Sequence, residues 1–150
     1  MRIHKSAQQG MMLLESLIGL LIFSLGILAL IGMQANAIRD TTETKYRSDA
    51  SFLASRLAAT IWTDRANYDD YLYNGTGTAP SKLDTWIGQL KNTLPGLDAG
   101  SSSFPSNGLA PKITEVATIS GTTELAIELH WQLPGSDVIR QYRTTIFINN

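Results

Sequence analysis

The chain has 150 residues, 43% of them hydrophobic, and a net charge of -1 from 12 lysines and arginines against 13 acids, with no cysteine. That length fits one folded domain with at most an appended segment. The lack of cysteine excludes disulfides and thiolate metal sites, and the charge balance gives no reason to expect nucleic acid as a partner.

In chain order, residues 1–10, MRIHKSAQQG, are short, polar and basic. The next stretch is of a different kind. Between Met11 and Ile38 the only ionisable side chain is Glu15, and from Leu17 to Met33 the only polar one is Ser24. As a helix, Met11 to Met33 extends roughly 35 Å at about 1.5 Å per residue, enough to span a bilayer core. A core helix of a soluble protein is not apolar on every face for that length. Residues 11–38 are therefore expected to form a transmembrane helix, with Arg2 and Lys5 holding the first end in the cytoplasm and the rest of the chain outside. A secretory cleavage site of small residues should follow such a run. Ala35-Asn36-Ala37 has that small-residue form, but the chain there, QANAIRDTTETKYRSDA, keeps a helical texture across it.

Ile38, Tyr46, Ala50, Leu53, Leu57 and Ile61 recur at helical spacing over most of that stretch, and charged residues fill the other faces. No proline or glycine occurs between Gly32 and Gly75. The pattern predicts one helix from about Met11 to about Ala66, amphipathic over 39–66, whose stripe needs a domain to lie against. Residues 67–111 read as a loop region. Gly75-Thr76-Gly77 is expected to be a plain loop, and Ser81 to cap a short helix near 82–94, with Trp86 in the core. Asp69 and Asp70 read as a solvated turn, and 96–111 as a flexible connection. Three strand-like runs follow within 112–150, at 112–119, 123–133 and 137–148. In the second, Leu125, Ile127, Leu129, Trp131 and Leu133 alternate with Glu124, Ala126, Glu128, His130 and Gln132, predicting one buried and one wet face. Turn residues at Gly121-Thr122 and Pro134-Gly135-Ser136 predict an antiparallel meander. The fold class expected is α+β: a long N-terminal helix packed on a C-terminal antiparallel sheet.

Gly10 directly precedes the apolar run, and Glu15 stands five places after it. This junction resembles the class III signal of type IV pilins and pseudopilins. The resemblance covers Met1 to about Ala66 and implies that residues 1–10 are a leader, cut by a prepilin peptidase between Gly10 and Met11. It further implies N-methylation of the new amino group on Met11 and retention of the apolar segment as anchor. The family usually has phenylalanine where this chain has Met11. Glu15 is then expected to pair with the amino terminus of a neighbouring subunit during assembly, as suits a carboxylate that costs about 2.5–3.5 kcal/mol near a bilayer centre. Gly19, Gly26 and Gly32 have two readings: the ordinary glycine content of membrane helices, or sites of close packing or unwinding. Many major pilins carry proline at the position of Gly32.

The run LGILALIGMQANAIRD resembles the PilV-like group of minor pilins in particular. Such subunits join other minor pilins and the major pilin, help prime pilus assembly and enter the fibre near its tip. The localisation implied is the inner membrane, single-pass, with the C-terminal domain in the periplasm and later in the pilus. A minor pseudopilin of a type II secretion system shares the same start and processing. A third reading is an unprocessed, single-pass, membrane-anchored binding domain. No G-x-S-x-G, H-E-x-x-H or Walker-type motif is present, and beyond the leader the single histidine, His130, is expected on an exposed strand face. The chain is expected to be no enzyme and to use no cofactor and no metal.

Overall fold

The computed structural model describes residues 6–97, 104, 108–119 and 121–149, with side chains from Met11 onward. The first half of the expected leader, with Arg2 and Lys5, lies outside the described residues, as does most of the expected connection at 98–107. Helix α1 spans Ser6–Thr63, 58 residues. The run without proline permits this length, since each backbone N–H finds its carbonyl within the segment. The chain divides into two compact units, one ending at Glu43 and the other starting at Thr44. In the first, the described residues form nothing but helix.

The second unit carries the core. From α1, Ala50, Leu53, Ala54, Leu57 and Ile61 are buried and Tyr46 is half-buried. Ile38, expected on the same stripe, is exposed and belongs to the other unit. The stripe thus begins where the domain begins, because helical spacing marks a face without saying where the covering structure starts. After Thr63 the helix tightens: the Asp64 N–H is shared between the carbonyls of Thr60 and Ile61, both at 3.2 Å. The α-helix thus ends at Thr63 and not near Ala66, and a 3-10 segment, Arg65–Tyr71, follows where the sequence reads as the helix end and then loop.

Helix α2, Asp84–Thr93, is entered through a 3-10 turn at Ser81–Leu83. The expected cap at Ser81 is not made. Pro80 holds the position before the turn in an extended conformation and offers no side-chain acceptor, so Ser81 already lies inside the helical turns. Asp84 supplies the negative charge that suits the first turn of α2. Trp86 is buried, as expected, and its Nε1–H donates to the carbonyl of Leu53 at 2.9 Å, tying α2 to α1. Past α2, Gly96 adopts φ +85°, and a Cβ there would stand 3.1 Å from the carbonyl oxygen of Gln132. Glycine lets this turn press against the sheet, where the Gln132 N–H donates to Pro95 O at 3.2 Å.

The sheet is a three-stranded antiparallel meander in the order β1-β2-β3, with β1 at Lys112–Ile119, β2 at Thr122–Gln132 and β3 at Ile139–Asn149. The β2–β3 pairing runs without a shift from Thr122↔Asn149 to Gln132↔Ile139, whereas β1 shifts register between Glu115 and Ala117. Leu125, Ile127, Leu129 and Trp131 are buried together with the α1 stripe and the apolar side of α2. Ser51 Oγ, bonded to Tyr142 Oη at 3.1 Å, adds a polar tie from α1 to β3.

The second face of β2 departs from expectation. Ala126 is buried, His130 is only 9% exposed, and Glu124, Glu128 and Gln132 are half-buried. The reason is position: β2 is the central strand, flanked on both sides, and the segment before β1 reaches His130, whose Nδ1 lies 3.1 Å from the Ala110 carbonyl. Leu57→Ala, which empties a fully buried site, should destabilise the protein by about 2–5 kcal/mol, whereas Phe52→Ala on the exposed side of the same helix should change stability by less than about 0.5 kcal/mol. Denaturant unfolding of the full chain in detergent micelles, followed by tryptophan fluorescence, measures both.

Candidate functional site

The Gly10–Met11 bond lies within helix α1. A peptide bond in that geometry must unwind before any peptidase can hold it extended. Glycine, about 0.8–1 kcal/mol less favourable than alanine in a helix interior, lowers the cost of opening at that point. Glu15 follows Met11 by four residues, one helical turn or roughly 6 Å along the axis.

Around it, the large apolar side chains from Met11 to Met33 are exposed on every side of the helix. This is the one helix among the described residues long and apolar enough to cross a membrane. Two hydroxyls in it are satisfied locally: Ser16 Oγ donates to the Met12 carbonyl at 2.8 Å and Ser24 Oγ to the Leu20 carbonyl at 2.7 Å. Glu15 cannot do the same, since a carboxylate has only acceptors and the carbonyls one turn back have no proton to give. Gly19, Gly26 and Gly32 leave α1 unbroken, with nothing within 4 Å of an added Cβ. The first two, seven residues apart, fall about 20° from one another around the helix, and Gly32 lies off that line.

At the other end of α1 is a polar cluster that the sequence reading missed. Asp64 accepts from Lys82 Nζ at 2.6 Å, Asn67 Nδ2 at 2.6 Å and Tyr71 Oη at 3.0 Å. Lys82 also reaches Asp70 at 3.0 Å, and its ammonium stands 5.1 Å from the centre of the Tyr71 ring. Asp70 is thus exposed as expected and at the same time paired. Hydrogen bonds from Lys82, Asn67 and Tyr71 lower the Asp64 pKa from its ordinary 3.8 to about 2. The bonds to Asp64 and Asp70 raise that of Lys82, and burial, followed by the Asp64 bond, raises that of Tyr71. The Asp64–Asn67 spacing is a readable local signal. Lys82, eighteen residues on, is not. The geometry of the cluster is that of a brace closing the helix end onto the 3-10 turn that leads into α2.

A concavity of about 460 Å³ lies between residues 72–80 and β1. Asn74 Oδ1 there already accepts from the Thr76 N–H and hydroxyl, at 3.0 and 2.7 Å. Among the described residues, no three histidine, aspartate or glutamate side chains converge as metal ligands would.

No family model, curated protein or solved structure matches this sequence. What the fold itself shows is a long N-terminal apolar helix whose later part packs on an antiparallel sheet, an arrangement compatible with a pilin-like architecture.

The brace carries a pH dependence of definite sign. Because the folded-state pKa of Asp64 is depressed, its contribution is present above about 3.8 and is lost as pH falls towards about 2. The raised Lys82 acts in the opposite sense, contributing below its ordinary 10.5 and losing that contribution at higher pH. Asp64→Asn should therefore lower stability at neutral pH and flatten the acid limb between about pH 4 and pH 2, as read from unfolding midpoints across that range.

Proposed function

We propose that the chain is a minor pilin of a type IV pilus, of the PilV-like group. One observation carries the reading: an apolar helix, exposed on all sides, holds a single carboxylate one turn after a Gly-Met junction and continues into the spine of an α+β domain. In this reading the prepilin peptidase cuts after Gly10 and the amino group of Met11 is methylated. The anchor stays in the inner membrane with the domain in the periplasm until assembly. Glu15 then accepts the positive amino terminus of a neighbouring subunit, which offsets the roughly 2.5–3.5 kcal/mol cost of a carboxylate at depth and fixes the axial stagger between subunits. The sheet domain selects the neighbours, other minor pilins and the major pilin, and the assembled complex primes the fibre.

Intact mass from cells with and without the peptidase tests the processing. Loss of residues 1–10 with gain of one methyl group, only when the peptidase is present, is the expected result; an uncut chain in both strains returns the protein to a plain single-pass anchor. Glu15→Ala should be processed and inserted normally yet be recovered poorly in sheared pili. Normal recovery of that variant would remove Glu15 from assembly. Partners that co-purify with the processed chain separate a pilus subunit from a secretion-system pseudopilin.

A further inference from the structure

The two outer edges of the sheet are treated differently. The edge of β1 is partly closed: Tyr73 pairs with Ile113 through two backbone bonds, 2.9 and 2.7 Å, and an irregularity at Val116 interrupts the β1–β2 ladder before it resumes at Ala117. Both are devices by which sheets refuse a further strand. The edge of β3 has neither. It pairs with β2 without a bulge along its whole length, contains no proline, and from Gln141 to Asn149 the described residues show no backbone bond to anything but β2. In an edge strand, alternate N–H and C=O groups point outward by geometry, ready to pair with an extended chain.

The side chains along this edge state what that chain should carry. Phe147 is 55% exposed on the face away from the core. Four residues back on the same face, the Arg143 side chain is 54% exposed, with its Nε 3.5 Å from Glu128 Oε1. From Val138 to Asn149 the chain has two arginines and no acid. Pairing β3 with β3 of a second copy would join two strands that each carry arginine and no acid.

We propose that β3 is a strand-acceptor edge, which takes an extended segment of a partner protein as a fourth, antiparallel strand. Its recognition elements are a carboxylate placed on Arg143 and an apolar side chain placed on Phe147. The added strand satisfies the outward backbone groups, and the Arg143 fork and Phe147 set its register. This does not rest on the pilin reading; any partner with such a segment would serve.

The probe is a nine-residue peptide of threonine and valine, with valine third from its N-terminus and glutamate third from its C-terminus, against its twin with lysine in place of glutamate. Hydrogen exchange is measured on the full chain in detergent micelles. The glutamate peptide should slow exchange at alternate amides of Gln141–Asn149 about tenfold, the lysine peptide should bind about tenfold more weakly, and Arg143→Glu should invert that order. Absence of protection on β3 with the glutamate peptide, or equal protection by both peptides on the wild-type chain, overturns the proposal. So does protection of β3 without peptide that grows with protein concentration, which would show self-pairing.

Discussion

Everything in this molecule hangs on one backbone constraint: α1 satisfies its own hydrogen bonds for 58 residues. A segment that does so can lie in hydrocarbon, where an unpaired N–H or C=O costs several kcal/mol, and equally against a protein core, where it costs nearly as much. The side chains then decide which medium suits which part. From Met11 to Met33 all but Glu15, Ser16 and Ser24 are apolar or glycine, and exposed around the whole helix, which suits a hydrocarbon surround. From Tyr46 to Ile61 they are apolar along a single stripe, which the sheet and α2 cover. The change of medium requires no break in the backbone.

The stripe alone is narrow, and the domain secures the helix with polar ties at points that packing does not fix. Trp86 bonds the Leu53 carbonyl, an acceptor already used within the helix, and Ser51 bonds Tyr142. Asp64 gathers donors from three separate positions just where the helical bonds run out. A helix end leaves carbonyls without partners and tends to fray. Here the 3-10 segment and the Lys82 bridge hold the first residues past the end, so that fraying has to break ion pairs as well as backbone bonds.

Much of this was legible in the sequence, and what was not shares one cause. The long helix, the three strands and the Leu125–Trp131 alternation are local periodicities, and periodicity needs no knowledge of the rest of the chain. His130 was misread because its cover, Ala110, arrives from twenty residues away. Ile38 was misread because the stripe continues in sequence past the point where the domain stops covering it. Ser81 has the right chemistry for a cap, but Pro80 moves the start of the turn one residue earlier. Lys82 reaches Asp64 only after the chain has turned back through the 3-10 segment. Each miss is a question of what lies opposite a residue, which spacing along the chain does not encode.

The same distinction bears on Glu15. Between Met11 and Met33 the chain places three polar side chains, and the two serines are satisfied inside the helix. A serine in hydrocarbon is therefore nearly neutral and says little about function. A carboxylate on a helix can borrow nothing from the carbonyls of the preceding turn, and among the described residues nothing else reaches it. Among donors from outside the segment, a positive one offsets its desolvation most. An isolated anchor would gain by replacing Glu15 with leucine. Its place one turn from the Gly10–Met11 junction fits the proposed pairing with the amino terminus of a neighbouring subunit, which is the physical content of reading this helix as an assembly element as well as a membrane one.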